Sequence, residues 1–386
     1  MKTDLHILFI CNEYPPYKHG GIGIFVKNLA EELVQHKIQC TVAGVYPDAA
    51  DSNEIINGVR ILRMAKKMIR FPFSSRLNNL LNERKARSQL SRLVKQLHDQ
   101  YQFTAIESYD WGGPLLSKPS CPLIVRLHGS HTAHAISEGK PYSKMLAHWE
   151  RRSLKIADQI VSVSHHMMTL TEKAFGHFSQ PATIIYNSVN ESIFFPHHEV
   201  IRDSNMILFV GKFHIRKGVY ELFSILNHLL RLNPDAHFLF VGHHTTEQSD
   251  ELLSIVSPDF HSRIRFKHAV DQIQLPKIYS QASLMIMPTR AEAFGLTVIE
   301  AMACGCVVAM SNLPITHEII SDEMDGLIID PENSEMTSKR IHQLLGNPSK
   351  LNQMREAAVR KVKLSFSNEK ILAQNLNLYK NLIHEA

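Results

Sequence analysis

Residues 290–305 read RAEAFGLTVIEAMACG, directly after the apolar run LMIMP at 284–288. An uninterrupted apolar run is typical of a strand that is buried on both faces. Gly295 then allows a tight backbone turn and a close approach by a ligand. Two carboxylates, Glu292 and Glu300, lie on either side of this glycine with seven residues between them. The stretch predicts a strand, a loop and a helix, with one acid in the loop and the other about one turn into the helix.

The predicted turn is suited to binding a ligand. In open α/β sheets, ligands bind beyond the carboxyl ends of the strands, and the first N–H groups of a helix form an anion site. With a helix that begins at about Leu296, the apolar Ile299 and Ala303 can face the sheet. Glu300 is then expected near the rim of the site, where its carboxylate can only accept hydrogen bonds, for example from the vicinal diol of a ribose. Glu292 would reach another part of the same ligand, so the pattern favours a nucleotide sugar.

Apolar runs alternate with helical patterns along the whole chain. This alternation favours an α/β protein with parallel sheets. The predicted strands are Leu5–Cys11, Cys40–Val45, Ala105–Ser108, Leu123–His128, Gln159–Ser164, Ala182–Asn187, Met206–Val210, Ala236–Gly242, Ile264–Lys267, Leu284–Pro288 and Cys306–Met310.

A chain of 386 residues is long enough for two domains. The succession of strand, glycine loop and helix begins twice, about 200 residues apart, and the polar segment 190–204 is a candidate linker. We therefore predict an N-terminal domain over 1–195 and a C-terminal domain over 196–367. The last segment, 368–386, is predicted to be helical and to pack back on the first domain. Two doubly wound domains facing each other would place their strand ends on opposite walls of one cleft.

Two lysines lie in the second glycine loop, FVGKFHIRKG at 209–218. Lys212 and Lys217 follow a predicted strand, which is where ligands of such sheets bind. The departure of a pyrophosphate needs positive charge where negative charge develops. The alternative is that both are solvated surface lysines.

Composition narrows the class of protein. The five cysteines are odd in number and mostly scattered, which argues against a disulfide framework and for a reducing compartment. No signal-peptide pattern and no apolar run of the ~18 residues that span a bilayer is found, so a cytoplasmic protein is expected. No Cys or His pairs have zinc-ligand spacing, and no D-x-D sequence is present to hold a metal-bound diphosphate. We therefore expect no metal and no other cofactor.

Positive charge is concentrated between Arg60 and Lys95, with eleven Lys or Arg residues and one acid, Glu83. Basic residues next to Phe71, Phe73 and several leucines favour an anionic membrane surface. The alternative is an ordinary helix with a solvated basic face. Nucleic acid is not expected as a partner because no recognition motif accompanies the charge.

Four stretches resemble the family 4 glycosyltransferases (GT4). EAFGLTVIEAMACG at 292–305 matches the E-x7-E motif of that family, and FVGKFHIRKG at 209–218 resembles its phosphate-binding segment. YPPYKHGGIGIFVKNLAEEL at 14–33 resembles its N-terminal glycine loop and helix, and IIYNSVN at 184–190 the strand before its linker. The resemblance covers nearly the whole chain. It implies the GT-B fold, with two Rossmann-like, doubly wound domains facing each other across a cleft.

The resemblance also implies a reaction. The family transfers a sugar from a nucleotide diphosphate sugar to an acceptor hydroxyl and retains the configuration at the anomeric carbon. For this chain it implies a metal-independent hexosyltransferase with a UDP- or GDP-sugar donor. A saccharide or lipid-linked acceptor would fit synthesis of bacterial cell-surface polysaccharide, lipopolysaccharide or glycolipid on the inner face of the membrane.

Roles in the C-terminal domain follow from the same resemblance. Glu300 would hold the ribose hydroxyls and Glu292 the hydroxyls of the donor sugar, while Lys212 and Lys217 would meet the diphosphate. The intervening residues of the motif that would line the donor site are Phe294, Gly295 and Leu296. The family usually has Arg at position 212, whereas this chain has Lys, a point charge without the bidentate fork.

In the N-terminal domain, the resemblance implies that Gly21 approaches the phosphates or the acceptor through its backbone. His128 would contact the sugar, with the nearby His131 as the alternative. The residues expected to act in catalysis are Glu292, His128 and Lys217.

Other functions remain open on the sequence alone. A nucleotide-sugar epimerase on the same fold would need no acceptor. A non-catalytic nucleotide-sugar-binding or scaffold protein would keep the fold without turnover. A dehydrogenase built on the N-terminal glycines is disfavoured because G-x-G-x-x-G is not completed there.

Overall fold

The computed structural model describes residues 5–17, 20–47, 50–67 and 75–384. The chain forms two compact units. The first comprises Met1–Tyr186 with Ile371–Ala386, and the second comprises Asn187–Lys370. The predicted boundary at 195/196 therefore lies inside the second unit. The residues just before that boundary belong to the second unit because the Phe194 ring packs on Tyr279 of that unit, with the ring centroids 6.3 Å apart.

The first unit is built on an eight-stranded sheet. Its strands are β1 His6–Ile10, β2 Gln39–Tyr46, β3 Ser52–Ile56, β4 Val59–Ala65, β5 Ala105–Tyr109, β6 Leu123–Leu127, β7 Gln159–Ser162 and β8 Ala182–Ile184. Their order is β3-β4-β2-β1-β5-β6-β7-β8, and only β3 and β4 pair antiparallel. The helices between them are α1 Gly21–Gln35, α2 Ser75–Tyr101, α3 His131–Ser137, α4 Lys144–Ile156 and α5 His165–Phe175.

The second unit has a six-stranded, fully parallel sheet in the order β11-β10-β9-β12-β13-β14. Its strands are β9 Asp203–Val210, β10 His237–Val241, β11 Ile264–Lys267, β12 Ala282–Met287, β13 Val307–Ser311 and β14 Leu327–Ile329. Its helices are α6 Val219–Leu232, α7 Thr246–Leu253, α8 Leu275–Gln281, α9 Leu296–Ala303, α10 Pro314–Ile319, α11 Ser334–Leu345 and α12 Pro348–Ser365, with 3₁₀ turns at Ile215–Lys217, Pro258–Arg263 and Gln272–Gln274. The last helix is α13 Asn368–His384.

Both sheets reverse their direction of winding next to their first strand. In the first unit the reversal lies between β1 and β5, and in the second it lies between β9 and β12. Loops that leave the carboxyl ends of such a strand pair separate and leave a crevice, which is where open α/β sheets bind ligands. The predicted α/β class with two doubly wound sheets is confirmed, and so is every predicted strand to within a few residues at its ends.

The β3–β4 hairpin was not predicted. Four of the five residues of β3 are exposed, so the strand lacks an alternating apolar pattern. The turn between the strands is Asn57-Gly58, and both residues have positive φ angles of 49° and 81°. Asn-Gly is the dipeptide that two-residue hairpin turns of this kind prefer. The Asn57-Gly58 dipeptide could therefore have predicted this hairpin from the sequence.

Helix α13 contributes to a buried polar network in the first unit. Arg126 on β6 donates to both carboxylate oxygens of Glu107 on β5, at 2.6 and 3.1 Å. From α13, the Tyr379 hydroxyl donates to Glu107 at 2.7 Å, and Asn375 accepts from Arg126 at 2.7 Å. The charges are thus paired and hydrogen-bonded, as buried charges must be. This network ties the end of the chain to the first sheet.

Part of the positive charge between Arg60 and Lys95 is used inside the fold. Arg63 is buried, pairs with Glu54 and donates to the carbonyl oxygen of Pro15. Arg87 is buried and donates to the carbonyl oxygens of Gly112 and Gly113 at 2.6 and 3.0 Å. The exposed basic surface is therefore smaller than the charge count predicts.

Several basic side chains of the same window do face solvent. Those that the structure describes as exposed are Lys67, Arg84, Arg92 and Lys95. Phe71 and Phe73, which the membrane prediction uses, lie outside the described residues. Of the helices within the described ranges, none has the length and apolar character that crossing a membrane requires.

Candidate active site

In the second unit, the loop after β9 is bound directly to the loop after β12. The Arg290 N–H and the Thr289 hydroxyl both donate to the carbonyl oxygen of Arg216, at 2.8 and 2.9 Å. Gly218 has a φ of 67°, and a Cβ at this position would lie 1.8 Å from the carbonyl oxygen of Pro288. Only glycine allows this approach, because any side chain would collide with the backbone.

The joined loops bring Lys217 and Glu292 together. Lys217 Nζ lies 2.6 Å from Glu292 Oε2, and the two side chains are 31% and 15% exposed. The other oxygen, Glu292 Oε1, accepts the N–H of Ala293 at 3.2 Å. The two predicted catalytic residues of this unit thus form a half-exposed ion pair beside the point where the sheet reverses.

Gly295 starts the helix that carries the second glutamate. It is the residue that precedes α9, with a φ of 95° in the left-handed region, which disfavours any side chain there. Leu296, the half-buried first residue of α9, follows it. The first N–H groups of a helix have no intrahelical partner, so this end of α9 can bind an anion. The predicted strand, glycine turn and helix are confirmed.

Glu300 is more enclosed than predicted. Only 8% of this residue is exposed, whereas the sequence predicted a position near the rim of the site. The Tyr279 hydroxyl and the Gln272 amide donate to its two oxygens, each at the long distance of 3.5 Å. Burial raises the pKa of Glu300 to about 8, and these two donors offset only part of that effect. The weakly bonded carboxylate retains capacity to accept further hydrogen bonds.

The side chain of Phe294 serves the core. It is 2% exposed, and its ring packs edge-on against Phe366 with the centroids 5.6 Å apart. A donor-site role for this position would therefore fall to its backbone, next to Gly295. The exposed Lys212 follows β9 in a loop held by the N–H of Phe213, which donates to the carbonyl oxygen of His243 at 3.0 Å.

In the first unit, Gly21 is the first residue of α1, and a Cβ there would meet nothing within 4 Å. Packing of the protein itself therefore does not require glycine at 21. Packing does require glycine at position 23, because a Cβ there would lie 2.1 Å from the Glu13 carbonyl oxygen. The Gly23 N–H donates to Glu13 Oε1 at 2.8 Å, so the start of α1 already holds a carboxylate. Sequence reasoning missed Glu13, which precedes the glycine loop.

His128 follows the carboxyl end of β6 and is half-buried. Its ring packs edge-on against Phe25, with the centroids 4.8 Å apart. The N–H groups of His128 and Gly129 donate to the two oxygens of Asp110, at 3.0 and 3.2 Å. Burial, together with the charge of Arg126, lowers the pKa of His128 to about 3. The imidazole is therefore neutral at physiological pH.

His131 lies in the same loop region, at the start of α3. Its N–H donates to Glu150 Oε1 at 2.9 Å, and its ring meets the exposed Trp111 edge-on at 5.6 Å. Its Nδ1 is buried and has no hydrogen-bond partner among the described residues. The structure thus places both histidines beyond the carboxyl end of β6.

Two buried acids that sequence reasoning missed organise these loops. Asp110 holds the backbone at His128, and burial raises the pKa of Asp110 to about 7. Glu150 accepts N–H groups from Gly112, His131 and Thr132, at 3.0, 2.9 and 3.1 Å. Asp110 could have been identified from the sequence by its position between a strand and the glycine pair Gly112-Gly113.

Two protein families match the chain in succession. Glycosyltransferase Family 4 matches residues 19–193, and Glycosyl transferases group 1 matches residues 191–361. Together the two matches cover most of the chain. The division between them lies close to the change from the first unit to the second.

Curated glycosyltransferases match this chain over nearly its full length or over part of it. An uncharacterized glycosyltransferase of Methanocaldococcus jannaschii is 26% identical, over 97% of this chain and 98% of its own. The glycogen synthase of Mycobacterium tuberculosis is 22% identical, over 97% and 94%. A GDP-mannose:cellobiosyl-diphosphopolyprenol alpha-mannosyltransferase of Xanthomonas oryzae pv. oryzae is 23% identical, over 59% and 60%.

Solved structures share the fold. Sucrose-phosphate synthase from Thermosynechococcus elongatus superposes with a TM-score of 0.82 at 21% identity, covering 99% of this chain and all of that one. Anabaena HepE in complex with UDP and glucose gives a TM-score of 0.74 at 15% identity, covering 98% and 100%. The chain belongs to the GT4-type glycosyltransferases and has their GT-B fold.

Proposed function

We propose that this glycosyltransferase moves a hexose from a nucleotide diphosphate sugar to an acceptor hydroxyl, with retention of configuration at the anomeric carbon. The observation that carries the proposal is the Lys217–Glu292 pair at 2.6 Å, beside the reversal point of the second sheet. A cation and an acid are placed there next to the free N–H groups at the start of α9. This arrangement suits a diphosphate attached to a polyhydroxylated group.

Each part of the donor has a proposed partner in the second unit. The diphosphate is met by Lys217, by Lys212 and by the first N–H groups of α9. The ribose hydroxyls donate to Glu300, whose present hydrogen bonds of 3.5 Å are weak enough to be replaced. The donor sugar hydroxyls are met by Glu292. A UDP- or GDP-linked donor is supported by the HepE structures with UDP-glucose and by the name of the Xanthomonas relative.

The proposed reaction needs no covalent enzyme intermediate. The bond between the anomeric carbon and the diphosphate oxygen breaks, with oxocarbenium character at the sugar. The acceptor oxygen forms its bond from the face that the diphosphate leaves, and a diphosphate oxygen takes the acceptor proton. Lys217 stabilises the charge that develops on the leaving group. Glu292 orients the sugar.

We further propose that transfer proceeds without a metal ion. Lys212, Lys217 and the α9 N–H groups supply the positive potential that Mg²⁺ would otherwise provide. Among residues 5–17, 20–47, 50–67 and 75–384, no three His, Cys, Asp or Glu side chains are placed to hold a metal ion together. Activity should persist in excess chelator. Loss of activity on chelation, restored by Mg²⁺, would contradict this part of the proposal.

The proposed acceptor is a saccharide or a lipid-linked saccharide of a cell-surface polymer, and the proposed location is the cytoplasmic face of a membrane. The exposed Lys67, Arg84, Arg92 and Lys95 would contribute roughly 1 kcal/mol each near anionic lipid. Cosedimentation with anionic vesicles should exceed that with neutral vesicles. Equal and weak binding to both would contradict the membrane proposal.

The first experiment is thermal unfolding with UDP, GDP, ADP and CMP on the wild type and on Glu300→Ala. A ligand at a hundred times its Kd adds about 2.7 kcal/mol, which is a shift of several degrees for a unit of this size. One nucleotide should stabilise the wild type and the control Glu335→Gln, an exposed residue of α11, but not Glu300→Ala. No stabilisation by any nucleotide would contradict the donor site.

A second measurement separates catalysis from binding alone. Release of the nucleoside diphosphate from the matching nucleotide sugar should depend on an added saccharide acceptor. Binding without release would favour a scaffold protein. Conversion of the sugar to its epimer without an acceptor would favour an epimerase.

A further inference from the structure

Two arginines lie together at the amino end of β12. Arg202, in the segment before β9, donates to the carbonyl oxygen of Ala282. Arg355, on α12, donates to the carbonyl oxygen and the hydroxyl of Ser283, at 3.4 and 3.3 Å. Ala282 and Ser283 are the first residues of the strand. The pair therefore lies at the edge of the second sheet opposite to the carboxyl edge, from which the Glu292 loop leaves.

These two charges have no acidic partner among the residues that the structure describes. Within the described part of the second unit, neither Arg202 nor Arg355 forms an ion pair with Asp or Glu, and Arg355 Nε is buried without a hydrogen-bond partner. Both residues are half-buried. Burial lowers the pKa of both guanidinium groups, and the nearby charge of Arg202 adds to the effect on Arg355, whose pKa falls to about 10. Two partly desolvated cations that repel each other are unfavourable without a counter-charge.

The groups nearby compensate only part of this charge. A Cβ at Gly305 would lie 3.6 Å from Arg202 Nη2, so the guanidinium sits at the end of α9. The carboxyl end of a helix contributes at most about half a negative charge. The neighbouring thiol of Cys306 is uncharged because burial raises its pKa to about 12, and burial raises the pKa of Cys304 as well. At least one full positive charge is left without a counter-charge.

We propose that Arg202 and Arg355 form a binding site for a phosphate-like oxyanion at the amino edge of the second sheet. Guanidinium groups present N–H donors in a planar fork that matches the oxygens of phosphate. The anion would supply the missing counter-charge. The site is separate from the proposed donor site. It touches the end of α9, the helix whose first part binds the donor, so the two ligands would contact opposite ends of one helix.

The test is binding of inorganic phosphate, measured by calorimetry and by thermal unfolding against chloride at equal ionic strength, since salt alone screens the repulsion. The variants are Arg202→Met and Arg355→Met. The matched control is Arg231→Met, an exposed arginine of α6 in the same unit. A fourth variant, Lys217→Met, reports on phosphate bound at the proposed donor site.

Phosphate should bind the wild type and Arg231→Met with similar affinity, whereas Lys217→Met should remove only the phosphate bound at the proposed donor site. Binding to Arg202→Met and Arg355→Met should weaken at least about tenfold, which corresponds to about 1.4 kcal/mol. If a methionine variant does not fold, Arg355→Lys replaces it, because lysine keeps the charge without the fork and should show intermediate affinity. Loss of binding in Lys217→Met alone, equal loss in Arg231→Met, or no phosphate-specific binding to the wild type would each overturn the proposal.

Discussion

Lys217 and Glu292 are 75 residues apart in the chain, yet their charged atoms lie 2.6 Å apart. The adjacency of β9 and β12 makes this possible, because the loops after these strands share hydrogen bonds at the carbonyl oxygen of Arg216. A half-exposed ion pair of this kind contributes only about 0–1 kcal/mol to stability. Each residue partly neutralises the other, and in the function proposed above a diphosphate would compete with Glu292 for Lys217. The proposal therefore predicts that the pair matters more for ligand binding than for folding.

Lys217→Met should separate the contribution of Lys217 to ligand binding from its contribution to stability. The melting temperature should change little, because the lost ion pair is partly solvated. Turnover of the nucleotide sugar should fall by about a hundredfold or more, as is typical when a group that stabilises developing charge is removed. Steady-state kinetics and thermal unfolding measure the two effects, with Lys339→Met, an exposed lysine of α11, as the control. A strongly destabilised variant with normal kcat would show that Lys217 is structural.

Glu292→Gln should lower kcat more than it weakens donor binding. Glutamine keeps the size of the side chain but removes its charge, which frees Lys217 to bind the diphosphate. The sugar then loses the carboxylate that is proposed to orient it during transfer. The comparison of kcat with the donor Kd from calorimetry decides the point. Equal losses in both would argue against a role that is specific to the transition state.

Nucleoside diphosphate binding should strengthen as the pH rises towards 8. In the proposed donor site the carboxylate form of Glu300 would accept the ribose hydroxyls, but its pKa of about 8 keeps the group mostly protonated at neutral pH. Each pH unit below 8 then costs up to about 1.4 kcal/mol, or a factor of ten in affinity. Calorimetry from pH 6 to pH 9 should show this slope in the wild type. Glu300→Gln should bind more weakly and without the slope, whereas a slope that persists in this variant would assign it to another group.

Glu300 should affect stability in the opposite direction, so that stability falls as the pH rises. The pKa of Glu300 is about 8 in the folded protein and near its ordinary value of 4.5 in the unfolded chain, so the folded state binds more protons between these limits. The contribution of Glu300 to stability is therefore greatest below pH 4.5 and is lost as the pH rises to 8. Unfolding of the second unit by urea at several pH values should show a decline that Glu300→Gln lacks.

The sequence was sufficient where the signal is local. Gly295, with the apolar strand before it and the helix after it, fixes the positions of Glu292 and Glu300 within one continuous stretch. The Lys217–Glu292 pair could not be predicted in this way, because it depends on which strands become neighbours in the sheet. The same holds for Asp110, whose backbone partners His128 and Gly129 lie directly after the neighbouring strand β6. The enclosure of Glu300 depends on Tyr279 and α8, which lie outside the motif.

His128 should remain neutral down to about pH 5. Its pKa of about 3 results from burial and from the charge of Arg126. An ¹⁵N-NMR titration of the imidazole should show the neutral form throughout this range, and His128→Gln identifies the signal. The unfolded chain takes up this proton near pH 6.5, so stability should fall as the pH drops below that value, by up to about 1.4 kcal/mol per unit. Protonation near pH 6.5 in the folded protein would contradict the enclosed environment.

The end of the chain should stabilise the first unit through Tyr379. Its hydroxyl is buried and donates to Glu107 at 2.7 Å, inside the network with Arg126. Tyr379→Phe removes this donor with little change in volume, and we expect a loss of about 1–3 kcal/mol. Glu107→Gln leaves the buried charge of Arg126 without its partner and should cost more, about 3–5 kcal/mol. Urea unfolding followed by a probe in the first unit measures both, and Tyr142→Phe, at an exposed tyrosine of the same unit, is the control. If Tyr379→Phe were as stable as Tyr142→Phe, α13 would not depend on this hydrogen bond for its place on the sheet.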